Sequence, residues 1–176
     1  MKLISSPFVI ISGLSVPTVM KTRTLVIAVA LWVTAATSGF CSNPQVGTWK
    51  LNETKSTFTS GMGKNTTVVF SRTPEGLWQV DTTIDRVNKN GKRTQTHTVW
   101  VGKRDGKPYP IKVIKGSQSY DAIAYTEHGF TTMKKGKVIM TGTIAYAEDG
   151  KSRVVTANGT TAGGKKLEST AKYDKQ

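Results

Sequence analysis

From residue 47 onward the chain is punctuated by turn-forming dipeptides: Asn90-Gly91, Asp105-Gly106, His128-Gly129, Lys135-Gly136, Asp149-Gly150 and Gly163-Gly164. Between them lie short runs rich in Thr, Val, Ile and aromatic residues, and none carries a long stripe of 3.6-residue period. β-Branched and aromatic side chains suit a pleated surface, and Gly supplies the backbone conformations of tight turns. Short strands bounded by such turns read as a sandwich or barrel and not as βαβ units. Ten segments follow: 46–52, 66–72, 77–87, 93–101, 111–115, 119–126, 130–133, 137–147, 153–158 and 167–173. The expected fold class is all-β.

Two of the dipeptides also fix a register, because Asn-Gly and Asp-Gly favour the two-residue type I′ turn. A turn on Asn90-Gly91 sets Ile84 opposite His97, Thr82 opposite Val99, Val80 opposite Val101 and Arg86 opposite Gln95. Trp78, Val80, Thr82, Ile84, Val99 and Val101 then share one face, and Gln79, Asp81, Thr83, Asp85, Thr94, Thr96 and Thr98 the other, with Trp100 an exception among the polar residues. A turn on Asp149-Gly150 sets Ile144 opposite Val155, Gly142 opposite Ala157 and Tyr146 opposite Arg153. Val138, Met140, Ile144, Tyr146 and Val155 then face inward. A three-residue loop with a bulged Gly would shift either register by one residue and exchange the faces of the partner strand.

Polar groups that face an interior need partners or water. In this scheme His97, Arg86 and Arg153 are inward. Their ordinary reading is charges reaching solvent at strand ends and a satisfied core histidine. The functional reading joins Arg86, His97, Met140, Tyr146 and Arg153 as the lining of a cavity that orients a small ligand.

The first residues read as an address. Lys21 and Arg23 precede the apolar run 25–33 and the small residues 34–39, the layout of a secretory signal peptide. The run is roughly half of the ~20 residues a membrane-spanning helix needs. Ala36 and Ser38 stand at the spacing signal peptidase prefers, so Gly39 is the expected first mature residue, within a few positions. We assign residues 1–42 to this leader, with Met20 as an alternative start, and residues 43–176 to the folded domain. A lipoprotein carries a small residue directly before its lipidated cysteine, whereas Phe40 precedes Cys41; lipid attachment is not expected. The product is expected in the periplasm or outside the cell.

Charge is lopsided, with 25 Lys and Arg against 11 Asp and Glu. Residues 1–42 hold Lys2, Lys21, Arg23 and no acid, so the remainder keeps 22 bases against 11 acids, a net +11. Such a surface attracts anionic polymers or lipids without specificity, and nothing points to a specific nucleic acid. Cys41 is the single cysteine, so the fold has no internal disulfide.

The segment Asn43-Pro44-Gln45-Val46-Gly47-Thr48-Trp49-Lys50-Leu51-Asn52, with Lys55-Ser56 after it, resembles the opening of uncharacterised secreted bacterial proteins with a lipocalin-like, or calycin-like, domain. Gly47-x-Trp49 matches the first-strand motif of lipocalins, and the ending Ala171-Lys172-Tyr173-Asp174-Lys175-Gln176 resembles the end of that bacterial group. The resemblance implies an up-and-down antiparallel barrel of eight to ten strands in which Trp49 closes one end and the other end is open. In lipocalins an arginine near the last strand packs over that tryptophan; Arg153 is a candidate that its position alone does not assign. Barrels of this size can hold one small ligand.

Catalytic patterns are few. His97 and His128 are the only histidines, no H-E-x-x-H is present, and one cysteine makes no thiolate metal site. His97 is the one candidate acid or base. Gly150-Lys151-Ser152 lacks the first Gly of a phosphate loop and falls in an expected hairpin. The sequence therefore points to a monomeric, non-enzymatic binder of a small hydrophobic or amphiphilic ligand, with no cofactor and no metal. The alternative is an exported basic protein that binds anionic polymers or lipids.

Overall fold

The computed structural model describes residues 43–87, 90–161 and 163–176. The leader assigned to residues 1–42, Met20 and Cys41 included, lies outside them. Ten strands follow in order: β1 (Gly47–Phe58), β2 (Lys64–Arg72), β3 (Trp78–Val87), β4 (Arg93–Gly102), β5 (Pro108–Lys115), β6 (Ala122–Tyr125), β7 (Gly129–Lys134), β8 (Lys137–Tyr146), β9 (Ser152–Thr160) and β10 (Lys166–Lys175). Each pairs antiparallel with its neighbours in sequence, and β10 returns to β1 with Trp49 opposite Lys175, closing an up-and-down barrel. Closure removes the unpaired edges that an open sheet of this length would expose. The fold is all-β, as the turn pattern requires, and is compatible with a calycin-like barrel.

The β8–β9 register agrees with the sequence reading: Ile144 opposite Val155, Gly142 opposite Ala157 and Tyr146 opposite Arg153. The connection is nevertheless not a two-residue turn. Ala147 N–H donates to Ser152 O (2.9 Å) and Gly150 N–H to Ala147 O (2.9 Å), so four residues form the loop, with Gly150 at φ 65°. Two and four residues have the same parity, and parity alone decides which faces meet. At Lys135-Gly136 both residues have positive φ, 49° and 74°, and Lys134 sits opposite Lys137, as a type I′ turn demands.

The β3–β4 register differs from the two-residue reading by one residue. Val87 stands opposite Arg93, leaving the five residues 88–92 between them, with Gly91 at φ 72°. An odd loop exchanges the faces of β4. Thr96, Thr98 and Trp100 point inward, and His97, Val99 and Val101 point outward; Ile84 meets Thr96, Val80 meets Trp100 and Arg86 meets Thr94. His97 is thus not an interior residue: its Nε2 lies 3.5 Å from Asp81 Oδ1 with the side chain 39% exposed. The exchange explains the misfit of Trp100, now 2% exposed with its indole N–H donating to Ile123 O at 2.9 Å. An aromatic side chain of this size removes roughly 150–250 Å² from water, several kcal/mol at about 25 cal/mol per Å². The other face would also carry a histidine inward, a polar group that then needs a partner.

Val138 lines the cavity only at its rim, where it is 55% exposed; a register shift in the β7–β8 pairing sets it opposite Met133. Met140, Ile144 and Tyr146 keep the inward side.

Candidate ligand cavity at the open end of the barrel

The two ends of the barrel are built differently, and Trp49 accounts for the first. It is 0% exposed, with its indole N–H donating to Gln45 O (3.0 Å). Gly47 precedes it by two residues at φ 134°, where a Cβ would stand 2.7 Å from Lys175 Cε. The absence of a side chain lets Lys175 fold across, its Nζ 5.4 Å from the Trp49 ring and bonded to Pro44 O at 2.9 Å. The Gly of the G-x-W spacing thus has a backbone cause, since L side chains rarely adopt a φ of 134°.

Arg153 reaches into this end and is 3% exposed. Its guanidinium carbon lies 4.7 Å from the Trp49 ring centre, 4.8 Å from Phe70 and 4.9 Å from Tyr173. Each contact of this kind is worth about 0.5–2 kcal/mol, more when water is excluded. Burial lowers the proton affinity of Arg153 from its ordinary value, and the neighbouring Tyr146 and Tyr173 oppose that. Among the described residues its Nε and Nη1, and the Tyr146 hydroxyl, make no well-formed hydrogen bond, although Tyr146 stands close enough to favour the charged guanidinium, and ring faces make up much of the guanidinium's surroundings. Tyr146 meets Trp49 edge to face at 5.6 Å. Trp78, Trp100 and Tyr125 complete the plug, with Trp100 and Tyr125 4.7 Å apart. Arg153 and Tyr146, expected to contact a ligand, are instead packed with Trp49 at the closed end.

Beyond this plug the interior is hollow. A cavity of about 560 Å³ opens at the other end, within the range of roughly 300–1,000 Å³ typical of small-molecule sites. Phe130, Val155, Ala157, Ala171 and Tyr173 form its deep wall, and Phe58, Met62, Met140 and Leu167 stand nearer the mouth. Short side chains at 157 and 171 leave the space that larger ones would fill. Arg86, Tyr120, Gln118 and Thr132 supply the polar lining. Arg86 donates from Nη2 to Gln118 Oε1 at 2.5 Å, and Gly63 makes room for it, since a Cβ there would lie 2.6 Å from Arg86 Nε. Burial pushes the Tyr120 hydroxyl up to about 12, against the pull of Arg86, so it stays a neutral donor. Gln118 Nε2 and Thr132 Oγ1 are buried with no well-formed hydrogen bond among the described residues. Buried polar atoms are nearly always paired by protein or water, and both belong to cavity-lining residues.

Of the five residues read from sequence as ligand contacts, Arg86 and Met140 line the cavity, Tyr146 and Arg153 belong to the plug, and His97 is on the outer wall. Tyr120, Gln118, Phe130 and Leu167 were not foreseen. The alternation of Leu167, Ser169, Ala171 and Tyr173 in β10, all inward, carries a readable period of two. Tyr120 and Gln118 precede β6 in a turn, where no periodicity marks the inward direction.

Charge is also polarised along the barrel axis. Of the ten strand ends at the open mouth, six are basic: Lys64, Arg93, Lys115, Lys134, Lys137 and Lys166; none is acidic. The described residues of the mouth turns contain one acid, Asp121, whereas the turns at the plugged end contain Glu75, Asp105, Glu127, Glu148 and Asp149. Val87, Ile114 and Val138, all at least half exposed, stand beside the mouth. Among the described residues no group of three or more His, Cys, Asp or Glu side chains is placed to hold a metal ion. No family model, no curated protein and no solved structure matches the chain.

Proposed function

We propose that this protein is an exported, non-catalytic, lipocalin-like binder that takes a small apolar or amphiphilic ligand into the open half of its barrel. The observation that carries the reading is the cavity of about 560 Å³, walled by apolar side chains and furnished with a few convergent polar groups. The only histidine read as an acid or base, His97, lies on the outer wall and serves no chemistry in that cavity. Titration with the neutral probe N-phenyl-1-naphthylamine should give a saturable, one-to-one rise in probe fluorescence. Ala157→Phe, which fills the deep wall, should abolish it with an unchanged circular dichroism spectrum; Met140→Trp provides a second filling variant nearer the mouth. Absence of saturable binding, or binding indifferent to both variants, would refute the proposal. Export rests on the Lys21-to-Gly39 layout, and sequencing the amino terminus of the protein recovered outside the cytoplasm should find Gly39 or a residue close to it.

The ring of basic strand ends favours a second reading, contact of the mouth with an anionic polymer or lipid surface. Co-sedimentation with vesicles containing phosphatidylglycerol should then fall steeply between low salt and 0.5 M salt, and salt-insensitive partition would rule this reading out.

A further inference from the structure

We propose that the ligand is an amphiphile with an acidic head, a carboxylate or phosphate, held at the cavity mouth by Arg86, with Lys137 on the facing wall, its apolar tail pointing inward. This rests on the binding function proposed above. It goes further in naming the chemical class, the residue that selects it and the orientation.

The lining of the cavity includes Arg86, Lys134 and Lys137 and not one carboxylate. Lys134 has an acid partner, Asp121 at 3.7 Å. Arg86 and Lys137 have no ion pair among the described residues. Arg86 carries five N–H donors in a planar fork, and among the described residues its hydrogen bond, through Nη2, goes to the neutral Gln118. A guanidinium at the edge of an apolar cavity, with donors to spare, matches the two oxygens of a carboxylate or phosphate. Gln118 is already oriented by that bond and by Ser119 N–H, which donates to its Oε1 at 2.9 Å. Its Nε2, buried with no well-formed hydrogen bond among the described residues, is a further donor on the same side.

The orientation follows from where the cations stand. Arg86 is the penultimate residue of β3, and Lys134 and Lys137 flank the β7–β8 turn, all at the open end. The deep wall of Phe130, Val155, Ala157 and Ala171 offers no charge, so an acid placed there would be desolvated without a counter-ion, at a cost of several kcal/mol. The basic strand ends around the mouth would also raise the encounter rate of an anion and repel a cationic amphiphile.

The test compares dodecanoate, dodecyl phosphate and dodecanol as competitors of N-phenyl-1-naphthylamine on the full protein. A charge-assisted pair at Arg86 should make at least one of the two acids roughly tenfold or more tighter than the alcohol, and the two acids together show which head is preferred. Arg86→Gln should erase that preference, weakening the acids far more than dodecanol. Lys137→Gln, at an exposed position that opens β8, should reduce it in part. Equal affinity for all three competitors would overturn the acidic-head proposal and leave the binding function standing. So would a preference that survives both substitutions. Failure of all three and of the probe would remove the binding function itself.

Discussion

The β3–β4 register determines which side chains face the barrel interior, and one pair of substitutions discriminates the two possibilities. Trp100 and Val101 are neighbours on β4 and point to opposite faces. With Val80 opposite Trp100, the indole is 2% exposed and bonded to Ile123 O, while Val101 is 37% exposed on the outer wall. Trp100→Ala then removes a large buried side chain, costing about 3–5 kcal/mol, and strands the Ile123 carbonyl, for about 1–3 kcal/mol more. The barrel belongs to a class of domains whose whole stability is about 5–15 kcal/mol, so the variant should be partly unfolded at room temperature or melt roughly 10–20 °C lower. Val101→Ala deletes two methyl groups already half in water and should cost under about 1 kcal/mol. A two-residue turn at Asn90-Gly91 reverses this order, because Val101 would be interior and Trp100 a surface residue. Urea unfolding followed by circular dichroism reads both variants without dependence on the deleted fluorophore. Equal costs, or a larger cost for Val101→Ala, would refute the odd-loop register and the placement of His97 on the outside with it.

Other positions give independent checks. Gly142→Ala would set a Cβ 2.4 Å from Thr156 O and 2.5 Å from the Phe130 ring; since the carbonyl belongs to the sheet, a loss of about 1–3 kcal/mol is expected in a urea titration, with weaker probe binding because Phe130 lines the cavity. Arg153→Lys keeps the charge but loses the planar face that lies against three rings, and should lower stability by about 1–3 kcal/mol while leaving the preference among amphiphile heads intact. Burial raises Tyr120 and Tyr173 to about 12. Their unfolded forms ionise near pH 10, so between about pH 10 and 12 the unfolded state binds fewer protons and stability falls as pH rises. Absorbance at 295 nm should show these two tyrosines ionising late or together with unfolding; free titration near pH 10 without loss of circular dichroism would contradict their burial.

The succession of strands was legible because its signals are local. Gly-centred turns and β-branched runs mark all ten elements, and the alternation in β3, with Trp78, Val80, Thr82 and Ile84 buried, survives whatever loop follows it. Loop parity was not legible. Asn90-Gly91 and Asp149-Gly150 look alike, but one sits in an odd connection and the other in an even one. The sequence did contain the deciding fact in Trp100: a register that sends an indole to water and a histidine inward opposes the largest hydrophobic gain on that strand.

Arg86 and Arg153 show where sequence reading stops for a physical reason. Both are inward-facing arginines near strand ends, and hairpin registers treat them alike. What separates them is the opposite wall of the barrel, and closure fixes that through the pairing of β1 with β10, more than a hundred residues apart for Trp49 and Lys175. At the plugged end, Trp49, Phe70 and Tyr173 meet Arg153, and their ring faces occupy its charge. On the open side, Ala157 and Ala171 stop short of the axis, and among the described residues no ring face lies against the Arg86 guanidinium, whose hydrogen-bond partner is a neutral amide. A buried cation enclosed by ring faces and away from the cavity lining is a structural element, and one at the edge of the hollow with donors to spare is available to a ligand. The contrast between the two arginines therefore locates the functional half of the barrel more sharply than either residue does alone.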